Sequence, residues 1–261
     1  LALCVLAIGL LAGCAQQTSV TPKTVVDEKV KATERLNARI AAGMEALRQR
    51  DPERARRHLS RALEMAPKSP EAHNAMALLY NYEGDKKREE EHYLLALRHN
   101  PGFSQARNNY ATLLYRQGRY KEAIEQLRRA TDDTSYDQRS IAFLNLGRSY
   151  LQVGEVANAA AAMERSLRLD TNQPDAYLEL ADAQFQLGKL ADARFYHQGH
   201  VSRVARQSPR SLWLGIRIEH ALGGADRVAS YEMALDSLFR GTPEHQAWQA
   251  WKRGLPAGGK P

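Results

Sequence analysis

The stretch Arg61-Ala62-Leu63-Glu64-Met65-Ala66-Pro67 recurs 34 residues later as Leu95-Ala96-Leu97-Arg98-His99-Asn100-Pro101. Each copy places a helix-favouring segment ahead of a proline, which ends a helix because it lacks the backbone N–H. The same frame extends along the chain and gives repeat starts near residues 36, 70, 104, 140, 174 and 208. A constant period of this length predicts an array of stacked structural units.

Small and large side chains recur at fixed positions of this frame. The eighth position is always small: Gly43, Ala77, Ala111, Gly147, Ala181 and Gly215. The twenty-fourth is mostly large: Leu59, Tyr93, Leu127, Met163, His197 and Tyr231. Glycines suited to a helix C-terminus stand between the two helices of five repeats: Gly84, Gly118, Gly154, Gly188 and Gly223. The pattern resembles the tetratricopeptide repeat, a helix–turn–helix unit of 34 residues. The resemblance implies an all-α, right-handed superhelical solenoid of six repeats over residues 36–242.

Segments outside the array have terminal roles in this interpretation. Terminal repeats need a cover for their apolar side. The charged segment from Val25 to Leu36 is therefore a possible N-terminal capping helix, and residues 243–253, with Trp248 and Trp251, are predicted to form a C-terminal capping helix. Residues 254–261 are expected to be disordered.

The first eleven residues, Leu1 to Leu11, are almost wholly apolar. They are too few to span a bilayer and match the apolar region of a secretory signal peptide. The run ends in Leu11-Ala12-Gly13-Cys14, which resembles the bacterial lipobox. The resemblance implies removal of residues 1–13 and covalent lipid on Cys14, whose several acyl chains would anchor firmly. The alternative is an ordinary signal peptide with a chance cysteine.

The residues after Cys14 bear on localisation. An Asp directly after the lipidated cysteine of Gram-negative lipoproteins resembles an inner-membrane retention signal, and Ala15 stands there instead. The resemblance therefore implies the periplasmic face of the outer membrane. Residues 14–35 would form the lipidated N-terminus, a flexible tether and the possible capping helix.

Composition narrows the classes of function. The net charge of +7 comes from basic residues interleaved with acidic ones, which indicates a solvated surface with weak attraction for acidic partners or anionic headgroups. No aromatic residues accompany a basic stripe, so nucleic acid is not an expected partner. No catalytic motif, phosphate loop or dinucleotide fingerprint occurs. We expect no enzyme activity, no small-molecule substrate and no cofactor beyond the lipid on Cys14.

A metal site is the weaker interpretation of two histidines. His197 and His200 are three residues apart on one predicted helix, a spacing that could chelate a metal. The favoured alternative is helix packing or a hydrogen bond between helices. After Cys14 the chain has no cysteine, which excludes a disulfide or thiolate site in the folded part.

The tetratricopeptide resemblance also implies a concave groove lined by the first helix of each pair. The positions that face such a groove carry apolar, aromatic and asparagine side chains: Ile40, Met44, Leu47, Asn74, Leu78, Tyr82, Asn108, Tyr115, Leu144, Leu151, Leu178 and Phe185. These residue types suit an extended segment or helix of a partner protein. The alternative is that about half of them only pack helix on helix, because helix faces blur at about 100° per residue.

Three stretches carry a more specific resemblance. They are Asn108-Asn109-Tyr110 with Tyr115-Arg116-Gln117-Gly118-Arg119-Tyr120, Ala142-Phe143-Leu144-Asn145-Leu146-Gly147, and Ser211-Leu212-Trp213-Leu214-Gly215-Ile216-Arg217-Ile218-Glu219. Together with the lipobox and the six repeats, they resemble the type IV pilus biogenesis and stability lipoproteins, the pilotins. The resemblance implies binding of pilus secretin subunits, their localisation and multimerisation in the outer membrane, and hence pili and twitching motility.

The secretin contact is expected in the N-terminal half of the groove, at Leu78, Tyr82, Asn108 and Tyr115. Two rivals stay open. One is a repeat lipoprotein of another envelope machine, such as β-barrel assembly or peptidoglycan synthesis. The other is a soluble periplasmic scaffold, which would follow if Cys14 carries no lipid.

Overall fold

A computed structural model describes residues 22–254, and all regular structure in this range is α-helical. The predicted all-α class is confirmed. The predicted signal segment 1–13 and the lipidation site Cys14 lie outside the described residues, as does the predicted tail after Gly254. The helices belong to two compact units that divide after Pro67.

The first unit contains α1 (Pro22–Arg48) and α2 (Pro52–Met65). The sequence suggested a separate capping helix before a first repeat at residue 36, whereas the structure has one continuous helix of 27 residues. No glycine or proline interrupts the chain between Pro22 and Gly43, so nothing stops the helix there. Residues 26–35 of this helix are all exposed.

The second unit contains five helix pairs and a final helix. They are α3 (Pro70–Glu83), α4 (Lys86–His99), α5 (Ser104–Arg116), α6 (Tyr120–Asp132), α7 (Arg139–Gln152), α8 (Val156–Leu169), α9 (Pro174–Gln186), α10 (Leu190–Val201), α11 (Pro209–Ala221), α12 (Ala225–Leu238) and α13 (Pro243–Gly254). Local sequence sets several of these starts. The side chains of Ser69, Asp85 and Ser208 accept hydrogen bonds from backbone N–H groups in the first turn of α3, α4 and α11.

A glycine turn joins the two helices of each pair in this unit. Gly84, Gly118, Gly154, Gly188 and Gly223 all have φ between 73° and 77°. A side chain makes this left-handed conformation unfavourable, so the expected turn glycines are confirmed. Gly223 follows Pro209 by the same number of residues as Gly188 follows Pro174. The sixth pair therefore begins at Pro209, one residue after the start expected from the sequence.

The small residues of the repeats lie where a second helix comes close. A Cβ atom at Gly147 would lie 2.7 Å from Met163 Cγ, and one at Gly43 would lie 2.6 Å from Leu59 Cγ. Contacts this close leave no room for a side chain. The small and large residues of the repeat therefore belong to one packing contact between the two helices of a pair.

The last helix, α13, covers apolar side chains of α11 and α12. Trp248 is buried in one cluster with Leu212, Ile216 and Leu235. Its indole Nε1 donates a hydrogen bond to Glu232 Oε1 at 2.8 Å, which satisfies the polar end of the ring. None of the helices between residues 22 and 254 has the length and hydropathy of a bilayer-spanning segment.

Candidate protein-binding face

The candidate site is the face of the second unit on which α3, α5, α7, α9 and α11 are linked side by side, here called the first-helix face. Asparagine amides link its first three helices. Asn109 Nδ2 donates to Asn74 Oδ1 at 3.1 Å, and Asn145 Nδ2 donates to Asn108 Oδ1 at 3.0 Å. Buried amides need such partners, so these bonds hold α3, α5 and α7 in register.

A buried carboxylate organises the C-terminal half of this face. Glu179 on α9 accepts hydrogen bonds from Arg210 Nη1 at 2.8 Å and Arg210 Nη2 at 2.7 Å, and Arg148 Nε approaches it at 3.4 Å. Burial alone would raise the pKa of Glu179, but the two guanidinium groups outweigh it and hold the pKa below its usual range. The charge of Glu179 is therefore compensated inside the protein.

Asp182, also on α9, extends this ionic network to the end of the face. Arg210 and Arg217 approach its carboxylate at 3.4 Å and 3.5 Å. The Arg217 guanidinium also stacks over Phe185 and Trp213, at 5.1 Å and 5.5 Å from the ring centroids. Paired charges and stacked rings thus occupy the surface across α9 and α11.

The N-terminal half of the first-helix face is less filled. Arg116 is committed, since it donates to Asn81 Oδ1 and to the buried Glu89 Oε1, both at 2.6 Å. Tyr82 beside it is 49% exposed, and Tyr115 is half-buried. Aromatic rings with one free side are common anchors for protein partners.

The structure separates the predicted groove residues by accessibility. On α1, in the first unit, Ile40, Met44 and Leu47 are half-buried. In the second unit the buried members are Asn74, Asn108, Leu144 and Leu178; the half-buried members are Leu78, Tyr115, Leu151 and Phe185; Tyr82 is exposed. The four buried side chains pack between helices and present almost no surface to a partner.

Sequence reasoning missed four residues that shape this face. Asn109, Asn145, Glu179 and Arg210 make the bonds between first helices, yet none was among the predicted groove residues. A signal existed for the asparagines, which recur at neighbouring positions of successive repeats. The Glu179–Arg210 pair had no such signal, because it occurs once in the array.

The two candidate metal-binding histidines hold helices together. His197 Nε2 donates to the Ser211 carbonyl oxygen at 2.9 Å, and His200 Nδ1 donates to the Pro174 carbonyl oxygen at 2.9 Å. Burial lowers the pKa of His197, which favours the neutral ring. Among residues 22–254 no group of three or more His, Cys, Asp or Glu side chains is placed to hold a metal ion. The interhelical hydrogen bond is thus the interpretation that the structure supports.

Comparison with known families defines the class of protein. The tetratricopeptide repeat family model matches residues 40–102, 90–138 and 144–198, which together cover more than half of the chain. With the paired helices and turn glycines, this match makes the chain a tetratricopeptide-repeat protein, built on a fold that offers extended surfaces to protein partners.

Relatives of known role place it more narrowly. The chain is 36% identical over 247 residues to the type IV pilus assembly protein PilF of Pseudomonas aeruginosa, a match that covers 95% of this chain and 96% of PilF. A solved structure of P. aeruginosa PilF superimposes with a TM-score of 0.80 at 37% identity, over 85% of this chain and 99% of that one. PilW, described as a widely conserved type IV pilus biogenesis factor, gives a TM-score of 0.72 at 31% identity, over 82% of this chain and 98% of that one. The chain belongs to this family of type IV pilus assembly proteins, and its role lies in pilus biogenesis.

Proposed function

We propose that this protein is a pilotin: an outer-membrane lipoprotein that binds subunits of the type IV pilus secretin and promotes their localisation and multimerisation. The observation that carries the proposal is the kinship with PilF over nearly the full length of both chains. The first-helix face supports it, because a surface with aromatic anchors suits a protein partner better than a substrate.

The lipid would supply the address. Seven residues separate Cys14 from the start of α1 at Pro22. Fully extended, they reach roughly 25 Å, so an acyl-anchored Cys14 keeps the start of α1 close to the inner surface of the outer membrane. A secretin subunit held by the folded part would then be carried to the membrane in which its ring assembles.

The first-helix face would supply the contact with the secretin. Tyr82 and Tyr115 present aromatic surface on α3 and α5, in the half of the face where fewer charges are paired. The net charge of +7 favours an acidic or neutral segment of the secretin over a basic one.

Deletion of the gene tests the proposal directly. Unheated outer membranes of the deletion strain are blotted for secretin multimers, with complementation by the wild type and by Cys14→Ala. We expect multimers to disappear, to return with the wild type and to stay reduced with Cys14→Ala. Normal multimers in the deletion strain would refute the pilotin role.

A surface variant tests the proposed contact. Tyr82→Ala combined with Tyr115→Ala removes the two aromatic rings and is expected to reduce the multimers. The matched control is Phe195→Ala combined with Met233→Ala, which removes two exposed apolar side chains from α10 and α12. Asn108 is left intact because its amide holds Asn145. Equal multimer levels in the two variants would place the secretin contact elsewhere.

A further inference from the structure

A small cavity opens on the first-helix face between α5 and α7. Its volume is about 140 Å³, and we call it the Asn145 pocket after one of its lining residues. The apolar part of the lining comes from Ala111, Leu127 and Tyr115, and the polar part includes Thr112, Asn145 and Arg148. Ala111 and Leu127 are buried from solvent, so a side chain entering the pocket would meet an apolar surface.

The volume limits what the Asn145 pocket can hold. Sites for small molecules usually measure about 300–1,000 Å³. An apolar cavity of about 150 Å³ accommodates a single benzene ring. At about 140 Å³ the pocket is matched to one leucine, isoleucine or phenylalanine side chain and is too small for a whole metabolite.

Two side chains of the pocket can accept hydrogen bonds from a partner. Asn145 uses its Nδ2 to donate to Asn108, and its Oδ1 has no hydrogen-bond partner among the described residues. Thr112 donates its hydroxyl proton to the Asn108 carbonyl oxygen at 3.0 Å, which leaves the Oγ1 lone pairs. Oxygens placed beside an apolar pocket suit the backbone N–H groups of an extended segment.

Arg148, at the same pocket, is the least compensated cation of the ionic network. Its contacts to Asp175 and Glu179 are both 3.4 Å long, and Glu179 is already held by Arg210 at 2.7 and 2.8 Å. The carboxylate of Asp175 is 71% exposed, so it can turn away at little cost. Arg148 can therefore receive a carboxylate from outside the chain, in the geometry that guanidinium groups favour.

We infer that the Asn145 pocket binds an extended segment of a partner protein, with one aliphatic or aromatic side chain inserted between α5 and α7 and an adjacent Asp or Glu paired with Arg148. The inference rests on the proposed function for its biological setting, since it assigns a sequence preference to the same face. Its chemistry stands on the cavity, the free acceptors and the weakly paired arginine.

Selection from a peptide library tests the sequence preference. The purified mature chain is used to select from a phage-displayed library of random peptides of about 12 residues. Enriched sequences are expected to place Leu, Ile, Val or Phe next to Asp or Glu. The most enriched peptide is then synthesised with a fluorescent label, and its affinity is measured by anisotropy.

Two variants test the pocket with this peptide. Thr112→Trp fills the mouth of the pocket from an exposed position and should abolish binding. Arg148→Gln should weaken binding about tenfold, the effect of losing one charge-assisted hydrogen bond. An analogue peptide with Gln in place of the acid should bind wild type and Arg148→Gln equally. Thr134→Trp and Arg168→Gln make the same changes on exposed sites away from the pocket and should leave affinity unchanged.

The outcomes separate the pocket from the pilus role. An absence of enrichment, a motif without an acid, or full affinity in Thr112→Trp overturns the pocket assignment, with circular dichroism showing that each variant is folded. Secretin multimers in the deletion strain report on the proposed function independently. Normal multimers there would refute the pilotin role and leave a positive peptide result intact.

Discussion

Arg210 on α11 binds both carboxylate oxygens of Glu179 on α9, with Nη1–Oε1 and Nη2–Oε2 distances of 2.8 and 2.7 Å. The two residues belong to successive helix pairs and lie 31 positions apart in the sequence. Glu179 is buried, whereas Arg210 is exposed on one side. The contact therefore joins two repeats through a charge that water cannot easily solvate.

Removal of this guanidinium should destabilise the protein. Breaking a buried pair leaves an unpaired charge, which costs about 3–5 kcal/mol when both partners are buried. Arg210 is partly exposed and Arg148 remains nearby, so we expect Arg210→Ala to lower the free energy of unfolding by about 2 kcal/mol. Urea denaturation measures it. Arg240→Ala breaks the exposed pair with Asp236 and should change stability by less than about 0.5 kcal/mol; equal effects would contradict the role given to Glu179.

The close contact between Gly147 and Met163 predicts an unfavourable Gly→Ala substitution inside a helix. Alanine normally stabilises a helix interior by up to about 1 kcal/mol relative to glycine. At Gly147 the new Cβ would lie 2.7 Å from Met163 Cγ and 3.1 Å from the Ala159 carbonyl oxygen. Overpacking outweighs the helix preference, and we expect a net loss of about 1–2 kcal/mol. Gly254→Ala, where the Cβ meets no atom within 4 Å, is the control and should be nearly neutral. A stabilised Gly147→Ala would show that Met163 moves freely.

A cluster of histidines predicts lower stability in acid. His73 Nδ1 and His92 Nδ1 are 3.1 Å apart, and the His73 and His99 rings stack with centroids 5.6 Å apart. Burial, followed by the charges of His73 and Arg88, lowers the pKa of His92 to about 4. The unfolded chain takes up this proton below its ordinary pKa of about 6.5, while the folded chain resists it until about pH 4. Stability from this group is thus complete above pH 6.5 and is lost as the pH falls towards 4.

Denaturation at two pH values measures this effect. At pH 5 we expect His92 to reduce the free energy of unfolding by about 2 kcal/mol relative to pH 7.5. Other histidines also titrate, so the comparison is with His92→Gln, which should show a loss smaller by about that amount. Parallel pH profiles for the two proteins would contradict the low pKa.

The contacts of Trp248 predict that α13 is needed to close the end of the second unit. Trp248→Ala removes a buried ring and its hydrogen bond to Glu232. We expect a loss of about 3 kcal/mol, with greater binding of a hydrophobic dye as Leu212 and Ile216 become exposed. Gln249→Ala, at an exposed position of the same helix, should have little effect. Unchanged dye binding by Trp248→Ala would indicate that α13 is dispensable.

The groove residues show how far sequence periodicity reaches. It placed Tyr82 and Asn108 on the first helices of their pairs, and both lie on α3 and α5. It could not tell that Tyr82 is exposed while Asn108 is buried beneath α7. A period of about 100° per residue defines a side of one helix, but accessibility depends on the neighbour that packs against that side.

Local preferences along the chain were enough to determine the helix pairs, their turns and the small residues between them. Glycine at φ near +75° and small residues under Leu59 or Met163 are needed in every repeat, so they recur and can be recognised. Only the tertiary structure decided that α1 runs unbroken from Pro22, that asparagines bond to each other across helices, and that Glu179 receives Arg210. These features depend on contacts between distant residues that occur once or twice, and a pattern of local spacing carries no information about such contacts.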